Sequence, residues 1–90
     1  MKNIFEKAIE KWGRVSQIKK IQEECLELAL VINNMDCSTK SREESYRNFI
    51  DECADVSIMM KQAELIIGKD TLNRAISEKL VKLQKHLDKP

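Results

Sequence analysis

Proline, glycine and histidine are scarce in these 90 residues, at one, two and one copies respectively. So few helix breakers, with 34% charged residues, suit helices joined by short connections. No stretch alternates apolar and polar residues long enough to make a strand, and no low-complexity tract is present. An excess of one charge is also missing, since 16 Lys and Arg stand against 15 Asp and Glu. That balance removes any broad attraction for nucleic acid or an anionic membrane. The longest uninterrupted apolar run, residues 28–32, falls far short of a membrane span. The first twelve residues carry too much charge for a signal peptide, so a cytoplasmic protein is expected. The three cysteines, Cys25, Cys37 and Cys53, include no CxxC pair, which leaves zinc ribbons and thioredoxin-like redox sites without support. Cys25 and Cys53 fall among apolar helical positions and read as small hydrophobes in a reducing setting.

The chain does have 42% hydrophobic residues, enough for a core. Its length suits one small domain, residues 1–90. The pattern predicts an all-α, four-helix bundle-like fold. The first helix spans residues 3–12, with Asn3 as N-cap and Gly13 as the stop. The second runs from about Ser16 to Asn33, and residues 35–40 read as a loop. Ser41 followed by Glu44 has the form of a capping box and opens the third helix, which ends at Gly68. Asp70 is the expected N-cap of the fourth, which reaches about Leu87. At about 100° per residue, the expected apolar stripe of the second helix is Ile18, Ile21, Cys25, Leu28 and Ile32. That of the third is Phe49, Cys53, Val56, Met60, Ala63 and Ile67.

Four acids stand beside these stripes. Glu24 and Glu27 are three residues apart, and Glu52 and Asp55 repeat the spacing. Residues three apart are neighbours on a helix surface, so each pair can aim two carboxylates at one spot. If the two helices pack face to face, four carboxylates meet, a concentration of charge that needs protons or a cation. Glu52 lies inside the edge of its stripe and Glu24 at the margin of the other. Acids at the border of a core are costly without compensation. An oxygen-only donor set suits Mg²⁺, or Mn²⁺, better than zinc or copper. Di-iron bundle proteins use an inward ExxH motif. The one histidine here, His86, is remote from both pairs and reads as a solvated residue of the last turn.

The run Glu23-Glu24-Cys25-Leu26-Glu27, followed after a gap by Glu52-Cys53-Ala54-Asp55, resembles the EExxE and ExxD signature of the all-α nucleoside triphosphate pyrophosphohydrolases. That superfamily includes MazG and the dimeric dUTPases. Gln17 and Lys20, and Ile76, Lys79, Leu80 and Leu83, are also similar to small MazG-like proteins, so the resemblance covers about residues 12–87. It implies hydrolysis of a nucleoside triphosphate, a deoxynucleotide or a non-canonical one among the candidates, to the monophosphate and pyrophosphate by a metal-activated water. It further implies that Glu24, Glu27, Glu52 and Asp55 hold Mg²⁺ and carry the catalysis. The base could be Glu24 or Glu27. Glu23 would support the acids from behind, or lie on the surface.

Phosphate oxygens call for cations beside the metal. Lys20, one turn before Glu24, and Lys79 on the last helix are the candidates. Aromatic rings are few, and Trp12 is the preferred partner of a base, with Gln17 as a reader of its edge. Trp12 also reads as a residue closing the end of the bundle, and Phe49 reads as core. Leu26, Leu30, Ile50, Ile58 and Leu65 fall outside the main stripes. That excess, and the resemblance, point to a homodimer or a homotetramer. The rival from another class is a non-catalytic helical oligomerisation module whose acids are a surface feature or a structural metal site.

Overall fold

A computed structural model describes residues 1–35 and 41–90. All regular structure among them is helical: α1 (Ile4–Trp12), α2 (Arg14–Asn34), α3 (Arg42–Ile67) and α4 (Lys69–Leu87). The expected loop lies mostly in residues 36–40, outside the described residues. No helix among the described residues is long and apolar enough to cross a membrane.

Local chemistry explains most of the helix ends. The Asn3 side chain accepts the Glu6 N–H at 2.8 Å and starts α1. The Ser41 hydroxyl accepts the Glu44 N–H at 3.1 Å and starts α3. Gly13 and Gly68 stop α1 and α3, each N–H closing on the carbonyl four residues back, at 2.7 and 2.8 Å. Both glycines have positive φ, 85° and 105°. With ψ at 158°, Gly13 occupies a region essentially closed to residues bearing a Cβ. Each glycine is also the N-cap of the next helix, so both junctions are one residue long. This shortens the expected connections. α2 begins at Arg14 rather than Ser16. Asp70 is not the cap of α4 but sits in its first turn, where its charge favours the positive end of the helix dipole.

α1, α2 and α3 pack on one another, while among the described residues α4 touches α3 alone. The radius of gyration is 16.6 Å, against about 12 Å for a compact chain of this length. α4 therefore extends from a three-helix layer, with Ile76, Leu80, Val81, Leu83 and Leu87 all exposed.

The seam between α2 and α3 sets the site. The row of covered positions along it is Gln17, Ile21, Glu24, Leu28 and Val31 on α2, and Ser45, Phe49, Glu52, Val56, Met59, Ala63 and Ile66 on α3, with the buried Gln62 and the half-buried Asn48, Cys53 and Glu64 beside that row. Steps of four and three alternate throughout, the repeat of helices packed as a coiled coil. The stripes expected from sequence had the right period and one correct set of positions, but the other set was turned to the wrong side. Ile18, Cys25 and Ile32 are exposed where Gln17, Glu24 and Val31 are covered. Met60 and Ile67 are likewise exposed where Met59 and Ile66 are covered. Cys25 is thus no core filler, although Cys53 is half-buried. Met59 and Ala63 are the only apolar side chains classed as buried among the described residues. Full burial of a side chain such as Met stabilises by about 1.5–3 kcal/mol, so this core is thin.

Candidate metal centre and adjoining groove

Two antiparallel seam contacts fix the register. Gln17 meets Gln62 near the Gly13 end of α2, and seven residues on, Glu24 and Glu27 meet Glu52 and Asp55. One carboxylate oxygen from each of these four acids lies within 4.8 Å of the other three. The spacing of three within each helix supplies the pairs, and the seam repeat turns Glu24 and Glu52 inward. Glu24 is buried, Glu52 half-buried, and Glu27 and Asp55 flank them at the exposed edge. Glu24, expected at a margin, is in fact the most enclosed of the four.

The electrostatics are those of a site short of positive charge. Burial pushes the Glu52 carboxyl above its ordinary value, and the nearby Glu27, Asp55, Glu24 and Asp51 carboxylates raise it further. Glu24 has one partner, the Lys20 ammonium, 3.2 Å from its Oε1. That hydrogen bond, and the attraction accompanying it, raise the Lys20 pKa. The Oε2 atoms of Glu24 and Glu52 are buried with no hydrogen-bond partner. Two orphaned carboxylate oxygens in one cluster are expensive to leave unmade, and a hard cation is the group that satisfies them. Oxygens coordinating Mg²⁺ at about 2.0–2.1 Å lie about 4.2 Å apart across the ion. The four oxygens, all within 4.8 Å of one another, lie close enough for side-chain rotation to draw them into one coordination shell. The donor set fits Mg²⁺ or Mn²⁺.

A groove of about 960 Å³ opens beside the cluster, walled by α1, the first half of α2 and the second half of α3. Ile4, Phe5, Trp12 and Ile58 give it apolar walls, and Gln17 and Gln62 bring polar groups to its floor. Lys20 and Glu23 stand on its rim. Lys20 is shared, lining the groove while pairing with Glu24 of the cluster and, at 3.6 Å, with Glu23. Groove and cluster are thus adjacent compartments joined at one ammonium group.

The candidate residues divide accordingly. The four acids converge. Lys20, Glu23, Trp12 and Gln17 gather around the groove next to them. Gln17 is buried rather than open, its Oε1 accepting the Gln62 amide at 3.1 Å. Trp12 is exposed, with the Lys11 ammonium 5.2 Å from its ring centre. Lys79 is exposed on α4, outside the lining of the groove. Phe49 is a seam residue, not a groove wall. Gln62 escaped notice in the sequence. The signal available was its place one residue before Ala63, seven after Asp55, on the face that carries the acids.

No protein-family model matches this chain, and neither a search of curated proteins nor one of solved structures returns a match. The family resemblance of the acid motifs rests on the residues themselves.

Proposed function

We propose that the protein is a Mg²⁺-dependent hydrolase that splits a nucleoside triphosphate into the monophosphate and pyrophosphate. The observation carrying this reading is the convergence of Glu24, Glu27, Glu52 and Asp55, whose oxygens come within 4.8 Å from two helices. The orphaned Oε2 atoms of Glu24 and Glu52 support a cation there, and the EExxE and ExxD spacing supports the reaction class by resemblance. Mg²⁺ held by these four acids, or Mn²⁺ in its place, would offset triphosphate charge and make water a stronger acid at neutral pH.

The chain's own residues supply the remainder. Glu24 and Glu52 hold the inner position from the seam, and Glu27 and Asp55 close the exposed side. Glu27 is open to solvent, so its carboxylate can accept the proton of the attacking water and pass it on. Lys20 stands where a phosphate chain would run from cluster to groove, and its ammonium can exchange Glu24 for a phosphate oxygen. Glu23 holds that ammonium at the rim meanwhile. The apolar groove takes the base, with Trp12 offering a ring face. The exposed Leu26, Leu30, Ile50 and Leu65 fit a homodimer or larger homo-oligomer.

The test is a panel of canonical and damaged nucleoside triphosphates with Mg²⁺, assayed for pyrophosphate and monophosphate. Hydrolysis of at least one, lost in Glu52→Gln with helical content intact, is the expected result. No hydrolysis of any, together with no metal-dependent stabilisation, would leave a non-catalytic helical module instead.

A further inference from the structure

We infer that Gln62 reads the polar edge of a nucleobase seated in the groove, by accepting a hydrogen bond from a base N–H group. This deepens the triphosphate reading and rests on it for the identity of the ligand. The first observation is an unsatisfied atom. Gln62 is 3% exposed, and its amide donates to Gln17 Oε1 at 3.1 Å, yet its own Oε1 is buried without a partner. A buried carbonyl left unpaired is rare in folded proteins and marks a place where a donor belongs. The second observation is position, because Gln62 and Gln17 line the groove between apolar walls. A ligand there meets an apolar slot with one unfilled acceptor buried just beneath its floor.

Distance selects the kind of molecule. Gln17 precedes Glu24 by seven residues, two helical turns or about 10 Å along the seam, and Lys20 stands midway. That is the order of the length of a nucleoside from its base edge to its first phosphate. A flat, mostly apolar ring bearing an N–H edge, joined to an anionic chain, matches the groove, Lys20 and the acid cluster in that sequence. Inorganic polyphosphate would leave the groove and the Gln62 carbonyl unused. The amide can turn about its terminal torsion, which is soft in glutamine, to meet the ring. Gln17 holds the amide in place before the ring arrives, and the turn exchanges that hydrogen bond for the one to the base. Gln17 therefore acts as a positioning residue and Gln62 makes the contact.

The experiment uses nucleosides without metal or phosphate, so that it does not depend on turnover. The Gln62 side-chain amide is assigned in the NMR spectrum by its loss in Gln62→Met. Adenosine, guanosine, cytidine and uridine are then titrated in turn. At least one should shift that amide, and its counterpart lacking N–H donors on the ring edge (purine riboside for a purine, 2-pyrimidinone riboside for a pyrimidine) should bind about tenfold more weakly. Gln62→Met should weaken the parent nucleoside by about the same factor and abolish the difference between the two. If Gln62→Met fails to fold, the comparison of parent and counterpart on the wild-type chain still decides. Equal binding of both, or no shift with any nucleoside, overturns the inference. So does a shift that follows protein concentration alone, which would assign the groove to a second copy of the chain. Triphosphate hydrolysis without a Gln62 response would keep the hydrolase and reject this contact. The reverse result would keep the base site and reject the hydrolase.

Discussion

Glu24 of α2 and Glu52 of α3 bring carboxylate oxygens within 4.8 Å of each other, and each keeps a buried Oε2 with no protein partner. Like charges so placed oppose the packing of the very helices that carry them. A cation bound there would remove the opposition, and its binding would then be linked to closure of the α2–α3 seam.

Mg²⁺ should accordingly stabilise the fold. A ligand at 100 times its Kd adds about 2.7 kcal/mol, which for a chain of this size raises Tm by about 10 °C or more. Thermal melts across a Mg²⁺ titration check this, with Na⁺ at matched ionic strength as control. An equal rise with Na⁺ would reduce the effect to general screening.

Glu52→Gln should separate the two consequences of the cluster. Turnover should fall at least about 100-fold, as expected for losing a metal ligand, and the Mg²⁺-dependent rise in Tm should shrink with it. Metal-free, the same variant should melt above wild type at neutral pH, because one repelling charge has gone. A variant less stable than wild type without metal would show that the Glu52 carboxylate is satisfied by protein groups after all.

The pH dependence has a definite sign. Burial first, then the charges of Glu27, Asp55, Glu24 and Asp51, hold the Glu52 carboxyl above its ordinary value. A carboxyl raised in the folded state gives its full contribution below its unfolded value and loses it as pH rises through the folded one. The metal-free Tm difference between Glu52→Gln and wild type should therefore be near zero at about pH 4 and open as pH rises to about 7. A difference that is constant with pH would place its origin in packing.

Lys20→Met should act on substrate more than on fold. Its ammonium is half-exposed and pairs with Glu24 at 3.2 Å, so solvent screens much of that interaction. KM for the triphosphate should rise about tenfold, the loss of one charge-assisted contact, with kcat less affected. Steady-state kinetics decide, and an unchanged KM would remove Lys20 from the phosphate path.

Neighbouring methionines test the packing register. Met59 is 7% exposed and Met60 43%. Met59→Ala should cost about 2 kcal/mol or more, and Met60→Ala about 0.5 kcal/mol or less in the monomer. Denaturant melts at two protein concentrations separate this from an assembly effect, which would make the Met60 cost concentration-dependent.

The acids were legible because spacing is independent of which face a helix buries. Glu24 and Glu27 share a side wherever α2 packs, and the Asn3 and Ser41 caps follow from local hydrogen bonding. The buried face was not legible. Hydrophobicity favours Ile18, Cys25 and Ile32 over Gln17, Glu24 and Val31, yet the latter are covered. A seam that builds a polar site into itself gives up apolar positions, and the displaced residues remain on the surface. Gln62 was invisible for a related reason, since its significance is a partner missing in three dimensions. The capping role expected of Asp70 failed because Gly68 had already opened α4.

The one-residue junction at Gly13 gives α1 no slack. Trp12 and Gln17 lie on either side of it, so the angle between the α1 and α2 walls of the groove turns on a single pair of torsions, φ 85° and ψ 158°. A Cβ added at Gly13 would meet nothing within 4 Å, so substitution there perturbs only the backbone. Asparagine, which tolerates the left-handed helical region, gains little at this more extended ψ. Alanine and asparagine at position 13 would thus shift the angle between two walls without changing the identity of any side chain that lines them. The junction is a calibration point, through which the angle of the groove walls can be changed without touching the acid cluster beside them.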